Sequence, residues 1–202
     1  GGLAPNSFTL TIEDDVPVVA TGVTPIVAAV EEDDMADGDG DLSSGNNEDG
    51  STDADEASGS GDTSIATLFS IGADEHEGEA TDLIYGIDTD VSGLDALGLE
   101  SKGDAVTFAS TGTVLTATAG GREIMTFTVD ADTGNWDVDL KDQFDHVDDG
   151  ADDENMELVN DTGGTLDAID LSSYLTVTDY DGDTVGGLAP NSFTLTIEDD
   201  VP

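Results

Sequence analysis

Thr178-Asp179-Tyr180-Asp181-Gly182-Asp183 places three carboxylates at alternate positions around a glycine. In a tight turn such side chains converge, and glycine permits the backbone geometry that lets carbonyl oxygens join them. Converging oxygens are hard ligands, and calcium takes six to eight of them at about 2.3–2.6 Å. The flanks carry neither helices nor a glutamate at the twelfth loop position, so the pattern is not an EF-hand. The competing reading is a plain acidic β-turn.

Two further clusters offer the same chemistry. Glu13-Asp14-Asp15-Val16-Pro17, repeated as Glu198-Asp199-Asp200-Val201-Pro202, closes a strand with three acids, and the proline stops the ladder from continuing. A strand that ends this way ends at a domain boundary, where a cation could cross-link two modules. Glu31-Glu32-Asp33-Asp34 follows an apolar stretch over residues 24–30 and runs on through Met35 into Asp37, Asp39 and Asp41, which alternate with glycine and alanine. Weaker runs are Asp53, Asp55 and Asp62, then Asp74, Glu75 and Glu77, then Asp145, Asp148 and Asp149. Most charge runs are solvated faces, and some of these must be.

Catalytic chemistry finds little footing. His76 and His146 each sit singly among acids, whereas a metalloenzyme needs clustered histidines and an open position. Both read as surface or turn residues. The chain shows no glycine-rich phosphate loop, nucleophile elbow or Ser/His/Asp arrangement, so no enzyme is expected.

The charge balance explains why cations matter. Forty-eight Asp and Glu face three Lys and Arg, a formal net charge of −45 over 202 residues. Two like charges about 4 Å apart cost roughly 4 kcal/mol at an effective dielectric near 20, and self-repulsion opposes the compact state. Such a chain is disordered, lives in high salt, or holds cations between its carboxylates. Nucleic acid and anionic membranes are poor partners. There are no cysteines, hence no disulfides or thiolate metal sites. Neither a signal peptide nor a run of about 18 apolar residues is visible; the chain reads as a fragment cut from something longer.

The elements that must position these acids are strands. GGLAPNSFTLTIEDDVP occupies residues 1–17 and recurs unchanged at 186–202, 185 positions later. Identity over 17 residues indicates a tandem array with that period. Residues 1–17 are then the closing strand and linker of a preceding repeat, and residues 18–202 one module ending in the next linker. Apolar and polar residues alternate over 7–12, 105–109, 114–119, 123–129, 136–140, 171–177 and 192–197, with glycine- and aspartate-rich turns between them. Residues 33–63 and 144–164 are acidic and read as long loops. Trp136 reads as core. The pattern predicts an all-β, antiparallel β-sandwich with long acidic loops.

LTVTDYDGDTV at 175–185, FTLTIEDDVP at 193–202, VAAVEEDDM at 27–35, the run at 115–140 and FDHVDDGADDEN at 144–155 together resemble the Ig-like extender repeats of giant RTX adhesins, which Gram-negative bacteria export by type I secretion. The resemblance implies Ig-like sandwiches strung end to end outside the cell, rigidified by several Ca2+ ions per module at the linkers. They project a distal ligand-binding region for adhesion and biofilm formation. It implies ligand roles for Asp14, Asp15, Glu32, Asp33, Asp179, Asp181, Asp183, Asp199 and Asp200, to which the spacing adds Asp37, Asp39 and Asp41. The expected partners are neighbouring repeats, with no small-molecule substrate and a monomer in isolation. The rival readings are a calcium-dependent carbohydrate- or protein-binding module and a halophile-adapted acidic domain.

Overall fold

The computed structural model describes residues 9–11, 16–32, 35, 41–43, 55–70, 83–148 and 155–199. Among them the chain is all-β, relieved by one helical turn at Ser92–Asp95 and three 3-10 turns. The strands are β1 (Val18–Val19), β2 (Ile26–Glu31), β3 (Glu56–Gly59), β4 (Phe69–Ser70), β5 (Ile84–Ile87), β6 (Glu100–Ser101), β7 (Asp104–Ser110) and β8 (Val114–Ala119). They continue with β9 (Arg122–Val129), β10 (Trp136–Leu140), β11 (Leu158–Val159), β12 (Thr165–Leu166), β13 (Ile169–Asp170), β14 (Leu175–Thr178), β15 (Thr184–Gly186) and β16 (Phe193–Glu198).

The largest sheet is antiparallel, in the order β3-β10-β9-β8-β7-β6. Its strands alternate as period-2 patterning requires: Leu115, Ala117, Phe127, Val129, Trp136, Val138 and Leu140 are buried, with threonines between them in β8 and β9 and aspartates in β10. The turn between β8 and β9 is Gly120-Gly121, both at positive φ (57° and 83°). That pairing suits the type I′ turn, whose twist matches that of the flanking strands. A bulge between Ala117 and Thr118 shifts the register, and Ile124 and Met125 are both buried opposite it.

Two three-stranded sheets, β13-β16-β2 and β15-β14-β5, and two two-stranded ones, β1-β4 and β11-β12, complete the frame. Phe193 of β16 packs edge-on to Trp136 at 5.1 Å and to Phe127 at 5.3 Å, stitching β16 to the buried face of the six-stranded sheet. Trp136, expected in the core, is buried there, and its indole N–H donates to Thr63 O at 2.8 Å.

Three expectations need correction. The pairing is not wholly antiparallel: β16 runs parallel to β2, in register from Phe193 opposite Ile26 to Glu198 opposite Glu31. Residues 33–63 are not all loop, because β3 pairs with β10. Small residues make this possible: a Cβ on Gly59 would sit inside the Trp136 indole. The strand expected over 171–177 is a 3-10 turn at Ser172–Tyr174 followed by β14, with β15 still to come before the last strand. The Ser172 hydroxyl bonds Asp170 Oδ1 at 2.5 Å and receives the Phe193 N–H, which holds that turn.

The two copies of the repeated segment meet different fates. Leu195 is fully buried, whereas its sequence equivalent Leu10 is 71% exposed. Identical residues reach a core only where β2 and β13 flank them. Leu195→Ala should therefore cost about 2–5 kcal/mol by urea denaturation, while Leu10→Ala should stay within about 0.5 kcal/mol. Equal losses would contradict this difference in environment.

Candidate metal centres

Among the described residues, two groups of acidic or imidazole side chains bring their ligand atoms within 4.8 Å of one another: Asp179 with Asp181 and Asp183, and Glu32 with His146 and Asp199.

The first forms in the β14–β15 turn. Asp179 Oδ1 accepts the Gly182 and Asp183 N–H groups at 3.1 and 2.8 Å, and the Asp179 N–H donates to Asp183 O at 3.0 Å. Gly182, at φ 107°, takes a conformation that L side chains rarely adopt. The chain thus folds back, and the alternate spacing of the acids becomes convergence. Asp179 is buried, and its Oδ2 has no hydrogen-bond partner among the described residues. A buried acceptor left this way favours a cation.

The second group was not expected as a unit. Register creates it: Glu31 lies opposite Glu198, so Glu32 and Asp199 leave the ends of β2 and β16 side by side. The Glu32 N–H donates to Glu198 O at 3.0 Å, and the Asp199 N–H to Asn155 O at 3.0 Å. His146 arrives beyond β10, paired with Leu158. Its side chain is 1% exposed, and Nε2 lies 3.5 Å from Glu32 Oε1. The surface placement expected for His146 is therefore wrong. Leu158, its bridge partner, and Glu32, 114 positions earlier in the sequence, lie against it.

Glu32 is fully buried. Oε1 accepts the Phe144 N–H at 2.7 Å. Oε2 and both ring nitrogens of His146 have no hydrogen-bond partner among the described residues. Burial raises the Glu32 carboxyl to about 7; His146 and the Phe144 N–H pull it down without cancelling that rise, and the Asp199 charge adds to it.

The two groups lie at opposite ends of the module. Glu32 meets the six-stranded sheet just past the end of β10, at Phe144. β5, which pairs with β14, meets that sheet at its other end, through Gly112 O and Ala131 O. β1 packs beside β15 at this second end. Residues 13–17 lead into β1, so the DYDGD turn is near the start of the module and Asp199 is at its exit.

The remaining expected ligands divide cleanly. Asp41 is half-buried and joins neither group. Asp14, Asp15, Asp33, Asp37, Asp39 and Asp200 lie outside the described residues, as do Asp53, Asp74, Glu75, Glu77, His76 and Asp149. Asp145 serves a local structural purpose: its carboxylate accepts the Lys102 and Gly103 N–H groups at 2.5 and 2.8 Å. Asp55 is buried and Asp62 exposed, in neither group; Asp148 is exposed too.

All three basic residues of the chain are tied to aspartates around the exit end. Lys102 Nζ donates to Asp142 Oδ1 at 2.5 Å, Arg122 pairs with Asp142 Oδ2, and Lys141 pairs with Asp139 at 2.7 Å. Burial tends to raise the Asp142 carboxyl, but Lys102, the Ser43 hydroxyl and the Gln143 N–H hold it below the ordinary range.

The pH dependence follows from Glu32. Its folded-state value is raised, so stability is full below the ordinary value of 4.5 and falls as pH rises toward 7. In the metal-free chain, the melting temperature of wild type should drop between pH 5 and 7 relative to Glu32→Gln. Parallel profiles for the two proteins would count against a buried, raised carboxyl.

No protein-family model matches this chain, and no curated protein or solved structure matches it either.

Proposed function

We propose that this chain is a calcium-dependent structural extender repeat of a large bacterial surface adhesin of the RTX class, an Ig-like β-sandwich acting in tandem outside the cell after type I secretion. Its role is mechanical rather than catalytic: repeats joined through Ca2+-bridged linkers hold a distal ligand-binding region away from the cell for adhesion and biofilm formation.

One observation carries this reading. The segment that recurs after 185 residues is the last strand, β16, and it lies parallel to the first long strand, β2, over six paired residues. Parallel first and last strands start at one end of a domain and finish at the other, about 16 Å apart at 3.3 Å per residue. Modules joined through such ends extend into a rod, whereas antiparallel terminal strands would fold the array back on itself. The packing of Phe193 on Phe127 and Trp136 suits a sandwich core, and the exposed Leu10 suits a closing strand whose own module precedes this one.

Calcium fits at the inlet end. The buried Asp179 with Asp181 and Asp183 offers oxygens only, and β1, the first strand of the module, packs beside β15 at this turn. In this reading, repulsion among carboxylates keeps the array open where calcium is scarce. Extracellular calcium, binding sites of the roughly 10⁻⁴–10⁻³ M class, favours folding. Each site at tenfold excess over its Kd contributes about 1.4 kcal/mol.

A two-repeat fragment tests this. Adding EDTA at constant ionic strength should lower its melting temperature and broaden its small-angle scattering profile toward a bent ensemble. Asp181→Ala should shrink the calcium-dependent gain. Melts and profiles indifferent to EDTA, or rescued equally by NaCl, would leave only generic screening of charge.

A further inference from the structure

We propose that Glu32, His146 and Asp199 form a binding site for a borderline divalent transition ion, with zinc as its representative, that clasps the first and last long strands together at the exit end. The proposal is independent of the calcium reading, because it needs only these three side chains and their surroundings.

The donor set separates this group from the DYDGD turn. Calcium asks for six to eight oxygens; here one of the three ligands is an imidazole nitrogen. A site of one nitrogen and two carboxylates suits zinc, which takes three protein ligands and leaves a fourth position for water. The 3.5 Å between His146 Nε2 and Glu32 Oε1 is near the ligand-to-ligand spacing, about 3.3 Å, of a tetrahedral shell with bonds of 2.0–2.1 Å.

Burial supplies the second argument. A fully buried glutamate oxygen and two buried ring nitrogens have no hydrogen-bond partner among the described residues, which is costly unless something binds them. Two carboxylates and one divalent ion sum to zero charge, so the loaded site can stay buried. The Phe144 N–H holds the Glu32 carboxylate in place through Oε1, as outer partners of metal ligands do. The ligands come from the ends of β2 and β16 and from the chain beyond β10, so one ion would tie three distant segments.

The test is zinc titration of the whole chain by calorimetry, in calcium-free buffer at moderate salt. Wild type should bind one equivalent with a site affinity that His146→Gln weakens at least about tenfold. A large excess of calcium should not displace the ion. Cobalt(II) in place of zinc should give the intense visible absorption of a four-coordinate centre, a readout that requires no variant to fold. Zinc binding indifferent to His146→Gln would mean scattered surface carboxylates; that result, displacement by calcium, or a pale six-coordinate cobalt spectrum would overturn the site. Loss of the EDTA response in the two-repeat fragment, with zinc binding intact, would remove the calcium reading and leave this one standing.

Discussion

Forty-eight carboxylates against three cations set the terms for everything else in this molecule. Each acid must face water, accept hydrogen bonds from the backbone, or meet a positive charge. Many take the second course. Asp130 Oδ1 accepts from the Asp132 N–H and from the Thr133 N–H and hydroxyl, and these bonds hold its carboxyl below the ordinary range. Asp170 and Asp179 brace their own turns in the same manner. The acids therefore build the loops as well as charging them. The Lys and Arg side chains sit with Asp142, Asp139 and Asp104, while Glu32 faces only the imidazole of His146 at 3.5 Å among the described residues; Glu32 and Asp179, each with a buried unpartnered oxygen, are places where an external cation has much to offer.

The parallel register of β2 and β16 converts this chemistry into geometry. It brings together residues 167 positions apart, Glu32 and Asp199, and separates them from the DYDGD turn by the length of the module. The two candidate centres consequently differ in kind as well as in position. One is a local turn whose ligands come from five consecutive residues. The other is assembled from three remote segments and contains an imidazole, so it exists only when the fold does.

That difference also explains what could be read from the sequence. The strands β7 to β10 were legible because alternation and tight turns are local, and so was the convergence of Asp179, Asp181 and Asp183. The burial of Trp136 followed from the same alternation. β3 escaped because Ala57 and Gly59 contribute little apolar signal; what selects small residues there is the Trp136 ring across the pair. His146 escaped because its neighbours Asp145 and Asp148 are polar and its cover comes from elsewhere in the chain. The parallel pairing escaped because nothing in a strand's own residues declares the direction of its partner.

Parallel terminal strands also decide how the module answers a pull. A force applied to the chain ahead of β2 and beyond β16 draws the two strands in opposite directions along their common axis. The hydrogen bonds between them then lie across the load and share it, so the pair must fail together instead of unzipping one bond at a time. An ion held between Glu32 and Asp199 would sit at the end of that shear plane, where the exiting chain first feels the tension.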